Sequence, residues 1–204
     1  DALGELGELL VKGPNVTEGY WNDPERTQAA FDGTPMLAGD GGQWLRTGDI
    51  VEETDDGYLR YHDRLKEVLV LTTGRNVAPR PIEEAFATKE AVEQIMVIGD
   101  DRTFISALIV PNVDAIQRWG EREGHDLPLR VVDLVEHEKV HEYVQQTVSE
   151  VNQQFADHER IEEFELVPME WTAGNDLLTA SLKLKRRNIE ERYSNLIDEI
   201  YGEK

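Results

Sequence analysis

Apolar positions along this chain fall into two regimes. Up to about residue 62 they come in short runs parted by glycine turns; farther on, strands alternate with amphipathic helices. Residues 6–12 read as a strand closed by the turn Gly13-Pro14-Asn15. Asp23 can cap a helix with Pro24 at its first position, running to Phe31. Residues 33–43 are a glycine-rich loop, and Trp44-Leu45-Arg46 enters a strand that is interrupted at Thr47-Gly48-Asp49 and resumes at Ile50-Val51. Asp55-Asp56-Gly57 is a hairpin turn into Tyr58–Tyr61.

The later pattern predicts a strand over 67–71, a tight loop at Thr72–Asn76 and a short helix over 81–88 with Ile82, Ala85 and Phe86 on one face. Strands at 92–99 and 104–110 are joined by Asp100-Asp101-Arg102, and a helix follows at 113–123. Val140, Val144, Val148, Val151 and Phe155 recur at helical spacing, which predicts one long helix over 134–155. A strand at 161–167 and a terminal helix from about Arg186 complete an α+β unit. Between the regimes stands Asp63-Arg64-Leu65-Lys66, with three charges in four residues. A sheet interior would not accept them together, so the run is expected on the surface, as a polar hairpin loop or a joint.

Composition narrows the classes. There are no cysteines, which excludes disulfides and thiolate metal sites. No apolar run approaches the ~18 residues of a membrane-spanning helix, so no transmembrane helix is expected, and peripheral membrane contact stays open. The chain begins at Asp1 beside a strand, as a piece of a longer protein would. With 42 acidic against 21 basic residues the net charge is −21, and only 7 of the basic residues are lysines. Such a surface disfavours nucleic-acid binding and suits concentrated salt, so a salt-adapted protein is expected.

Several residues could carry chemistry. The Asp49 carboxylate offers two acceptor oxygens that match a ribose diol, or it closes its own turn. Arg64 could reach the same sugar or a phosphate with its guanidinium fork, or form a surface ion pair. Gly74, in Thr72-Thr73-Gly74, permits positive φ and leaves room beside the backbone, as an ordinary hairpin glycine also would. Lys183-Leu184-Lys185-Arg186-Arg187 is the most basic segment of an acidic chain. Placed at a helix N-terminus, it calls for an anion or acidic neighbours such as Glu190 and Glu191. His137 and His141 match His-Glu-x-x-His, but a third ligand is undetermined and both flank acidic, exposed positions; no metal site is expected.

Together these segments resemble the adenylate-forming superfamily: acyl-CoA synthetases, peptide-synthetase adenylation domains and luciferases. The run from Gly7 to Thr27 is similar to the family's Gly-Glu…Gly-Tyr…Thr segment. Trp44-Leu45-Arg46-Thr47-Gly48-Asp49 is similar to its Arg-Thr-Gly-Asp motif, and Asp63-Arg64-Leu65-Lys66 to its hinge motif. Thr73-Gly74-Arg75-Asn76-Val77-Ala78-Pro79, with Glu83 beyond, resembles the loop lining the CoA tunnel. Residues 107–112 and 175–186 look like long-chain fatty-acid:CoA ligases. Two departures stand out: Leu182 replaces the usual glycine before the catalytic lysine, and Asp176 the usual glycine after Asn175.

The resemblance implies an α+β fold in three parts. Residues 1–62 would end a large ATP-binding domain, 63–66 would be a hinge, and 67–204 a mobile lid. It implies Lys183 as catalytic, Asp49 and Arg64 as nucleotide-binding, Lys66 as pivot, and Gly74, Arg75 and Asn76 along the CoA tunnel. The substrate would be a fatty acid, with ATP, CoA and Mg2+ as cofactors and a cytoplasmic setting. The partner would be the N-terminal domain of the same protein, without which the chain is expected to be inactive. The alternatives are a stand-alone nucleotide- or protein-binding module, or a piece of another adenylate-forming enzyme.

Overall fold

A computed structural model of the chain describes residues 6–31 and 43–202, which fall into two compact units, Asp1–Val68 and Leu69–Lys204. In the first, β1 (Leu6–Val11), β2 (Leu45–Glu53) and β3 (Leu59–Arg64) form an antiparallel sheet in that order. The helix α1 (Pro24–Phe31) starts where the sequence predicts, with Asp23 Oδ1 accepting from Arg26 N at 2.9 Å. The glycine-rich stretch expected at 33–43 lies, except for Gln43, outside the described residues.

The interruption of β2 is a bulge. Glu8 pairs with Ile50 while Leu10 already pairs with Arg46, so Thr47-Gly48-Asp49 stands opposite the single residue Leu9, two residues in excess, and Gly48 takes φ 71° to allow it. β3 then runs farther than the polar pattern suggests, pairing Asp63 with Ile50 and Arg64 with Asp49. Asp63 is 0% exposed, which corrects the expectation of a wholly surface run. The carboxylate is tolerated there because its Oδ1 accepts from Arg64 N at 2.7 Å. Arg64, Leu65 and Lys66 are exposed.

The second unit opens with a small hairpin, β4 (Leu69–Val70) and β5 (Asn76–Val77), shorter than the strand predicted over 67–71. Helix α2 (Pro79–Phe86) follows; Pro79 fits its first turn, where no intrahelical N–H bond is lost. A three-stranded sheet holds β7 (Ile105–Pro111) between antiparallel β6 (Val92–Ile98) and parallel β8 (Ile161–Leu166). Every residue of β7 is buried, because both faces are covered. One face meets Ile82 and Phe86 of α2, Ile116 of α3 (Val113–Glu123), and the later helices α4 (Val131–Val135) and α5 (Glu138–Asn152). The other meets Trp171, Leu177, Leu178, Ile189 of α6 (Arg186–Arg192) and Ile197 of α7 (Ser194–Ile200).

Two predicted helices are broken. A continuous helix over 134–155 would turn Leu134 and Val135 to the side away from Val140. Breaking at Glu136-His137 buries all three. The terminal helix is interrupted at Tyr193, whose φ of −108° and ψ of 19° reset the axis between α6 and α7.

Candidate functional site

In the first unit, the β2 bulge and the end of β3 bring Asp49 and Arg64 together. Arg64 Nε lies 2.9 Å from Asp49 Oδ1, and Arg64 Nη1 donates to Thr47 O at 3.1 Å. Leu65 N donates to Gly48 O at 2.7 Å, tying the run before Lys66 to the bulge. A residue the sequence did not single out holds the bulge from beneath: Glu8 accepts from Gly48 N at 3.1 Å and pairs with Arg46 at 2.6 Å. Thr47 Oγ1 adds a bond to Leu9 O at 2.8 Å. Asp49 is therefore carried on a cross-strand support, with its Oδ1 against the Arg64 guanidinium.

Three turns in the chain share one hydrogen-bond pattern. In Thr54–Tyr58, Gly57 N donates to Thr54 O and Thr54 N to Tyr58 O, each at 2.8 Å. In Leu71–Arg75, Gly74 N donates to Leu71 O at 2.8 Å and Leu71 N to Arg75 O at 2.9 Å. In Thr179–Lys183, Leu182 N donates to Thr179 O at 2.9 Å and Thr179 N to Lys183 O at 2.8 Å. The fourth residue is left-handed in each: Gly57 at φ 79°, Gly74 at 77°, Leu182 at 61°. A Cβ on Gly74 would meet nothing within 4 Å, so the backbone angle, not crowding within this chain, calls for glycine there.

The third turn carries Lys183. Its N–H donates to Thr179 Oγ1 at 3.0 Å, as Tyr58 N does to Thr54 Oγ1 at 3.1 Å in the first turn. Leu178 and Leu184 bridge antiparallel beneath it, so Lys183 sits at the end of a short hairpin leading into α6. Leu182, held in a conformation that suits glycine, is 74% exposed. The other departure, Asp176, is also left-handed at φ 64°. Its carboxylate takes up Lys185 Nζ, and Asn188 Nδ2 donates to its Oδ2 at 2.9 Å. The hydrogen bond from Lys185, then its charge, holds the Asp176 carboxyl below the usual carboxylate range.

The basic cluster is thus largely neutralised. Arg186 forks onto Glu83, Arg187 Nε lies 2.8 Å from Glu191, and Lys185 meets Asp176. Lys183 alone of the four is exposed with no partner for its ammonium among the described residues. The His-Glu-x-x-His match does not form a ligand pair on one helix. His137 precedes α5 as its cap, with Nδ1 accepting from Lys139 N at 3.3 Å, while His141 stacks on Phe164 at 5.6 Å. Among the described residues no helix is long and apolar enough to cross a membrane.

Comparison with known proteins decides the family. The profile of the AMP-binding enzyme C-terminal domain matches residues 66–204. The chain belongs to that family. As an AMP-binding C-terminal domain it has relatives among long-chain fatty-acid–CoA ligases. The long-chain-fatty-acid–CoA ligase FadD15 of Mycobacterium tuberculosis is 32% identical over 200 residues, covering 98% of this chain and 32% of the relative. The FadD11 protein of the same species is 36% identical over 201 residues, covering 98% of this chain and 34% of the relative. This AMP-binding C-terminal-domain chain therefore spans about a third of the length of these curated relatives. Among solved structures, the A domain of a carboxylic acid reductase from Segniliparus rugosus, in complex with AMP and a co-purified carboxylic acid, matches with TM-score 0.74. It is 26% identical, and the match covers 99% of this chain and 29% of that one.

Proposed function

We propose that this chain is the hinge-and-lid end of an AMP-forming long-chain fatty-acid:CoA ligase. Residues 1–62 close a large ATP-binding domain, 63–66 form the hinge with Lys66 as pivot, and 67–204 are the moving lid. The rest of the protein supplies the phosphate grip and the acyl pocket, so the chain alone is expected to be inactive. Asp49 takes the ribose hydroxyls, and Arg64, whose Nε already lies against Asp49, reaches sugar or phosphate.

In the first half-reaction a carboxylate oxygen of the fatty acid attacks the α-phosphorus of ATP, the bond to the bridging oxygen breaks, and pyrophosphate leaves. Two anions must approach, and the Lys183 ammonium bridges them as charge builds. In the second, the CoA sulfur attacks the acyl carbonyl and AMP departs. The lid has then turned Lys183 away and brought Gly74, Arg75 and Asn76 along the CoA passage. Mg2+, the remaining cofactor, is held mainly by the N-terminal part of the protein. ATP and CoA as substrates make this a cytoplasmic enzyme, with any membrane contact peripheral.

The observation that carries the reading is the free Lys183 ammonium at a hairpin end, beside three cations that each have a carboxylate. In the full-length protein, Lys183→Ala should raise the adenylation barrier by about 2.7–4 kcal/mol. Conversion of supplied acyl-AMP to acyl-CoA should change far less. Wild-type adenylation by that variant would refute the assignment. Calorimetry of the isolated chain with ATP, AMP and CoA should show weak binding or none; tight binding would favour a stand-alone module instead.

A further inference from the structure

We infer that Arg186 and Glu83 form a positioning clamp for Lys183, a role that rests on the adenylation reading of that lysine. Arg186 Nη2 lies 2.7 Å from both carboxylate oxygens of Glu83, and its Nη1 donates to Val97 O at 3.1 Å. Glu83 Oε1 also accepts from Val97 N at 2.9 Å. Both members of the pair are therefore bonded to the backbone N–H and C=O of one buried residue, next to the last in strand β6. The contact joins positions 103 residues apart, the helix after the Gly74 loop and the helix after the Lys183 hairpin.

The other ion pairs of the basic cluster lie at the surface, where salt and side-chain freedom leave such pairs little net strength. The Arg186 and Glu83 side chains are only 21% and 14% exposed, so this pair is shielded and geometrically closed. Only Leu184 and Lys185 separate Arg186 from Lys183. Leu184 packs against the second core cluster, and Lys185 N donates to Leu177 O at 2.9 Å. A link this short and this tightly bonded passes a shift of Arg186 on to Lys183, so the clamp sets where the Lys183 backbone, and with it the root of its side chain, stands. Glu83 thus does through Arg186 what no local contact of Lys183 does, since that lysine is held only by its own turn.

The test uses the full-length protein and separates the half-reactions. Arg186→Lys keeps the charge but loses the planar fork. It is expected to lower the adenylation kcat by about 100-fold, the cost of a displacement of roughly 1 Å at a reacting group, with KM for ATP unchanged. Glu83→Gln should lower the adenylation kcat in the same direction. Conversion of supplied acyl-AMP to acyl-CoA by Arg186→Lys should stay at the wild-type rate, which also shows that the variant is folded. A parallel fall of both half-reactions in Arg186→Lys would mean a general structural role and overturn the clamp. Wild-type adenylation in Arg186→Lys, with Lys183→Ala inactive, would overturn the clamp alone. Wild-type adenylation in Lys183→Ala would overturn the underlying reading of that lysine, and the clamp with it.

Discussion

Arg64 reaches across from β3 to place its Nε 2.9 Å from Asp49 Oδ1, on the bulge of β2. The two residues face each other in the strand register, so the backbone sets them side by side. If Asp49 accepts from both ribose hydroxyls, Asp49→Asn in the full-length protein removes charge-assisted bonds, a loss of about 1.5–3 kcal/mol. The expected outcome is a rise in KM for ATP of about ten- to a hundredfold, while the KM for CoA stays put. An unchanged KM for ATP would leave Asp49 as a turn-closing residue.

Leu182 occupies a position that glycine fills in the two matching turns of the same chain. Left-handed backbone costs an L-residue about 1–2 kcal/mol, and with 74% exposure no internal packing offsets it. Glycine's greater freedom in the unfolded chain takes back about 0.4–1 kcal/mol, so Leu182→Gly should raise the melting temperature of the chain by about 2–4 °C. Gly74→Leu should lower it, since a side chain there meets the same penalty. Differential scanning calorimetry of the two variants checks both signs.

Burial raises the pKa of Glu165; His141 opposes the shift, and Glu199 and Glu163 add to it. A carboxyl whose folded pKa lies above its free value binds its proton more tightly in the native state. Its ionised form therefore costs stability, fully above the raised pKa and not at all below the free value of 4.5. Glu165→Gln should raise the melting temperature at pH 7, and the gain should shrink as pH falls toward 4.5. A gain that persisted undiminished in acid would show that the carboxylate charge is not its source.

The net charge of −21 makes the folded chain repel itself. At 1 M salt the screening length falls to about 3 Å, so the melting temperature should climb between low and molar KCl. A flat or falling profile would count against salt adaptation.

Much of the second unit was legible because its elements are local and periodic. Helix α3 spans the predicted Val113–Glu123, and β6 and β7 follow the two apolar runs. The break at His137 was not legible, because it serves Leu134 and Val135, whose burial depends on where the sheet lies. Asp63 escaped for a similar reason: a polar run looks exposed until a strand partner and a backbone bond enclose one of its members. Of the candidate site, Asp49, Arg64, Gly74 and Lys183 stand on short motifs that can be read in order. Glu83 closes one of these motifs, but its bond to Arg186 spans 103 residues and no local pattern announces it.

The central place of β7 has a bearing on how the protein is made. Its partner on one side, β6, precedes it directly, but β8 emerges only after α3, α4 and α5. Until Ile161 leaves the ribosome, the newborn polypeptide exposes an unpaired edge of isoleucine, alanine, leucine and valine. That edge is a template for adding strands from other molecules. Premature termination or proteolysis upstream of β8 would thus yield a sticky remnant, not a smaller folded unit.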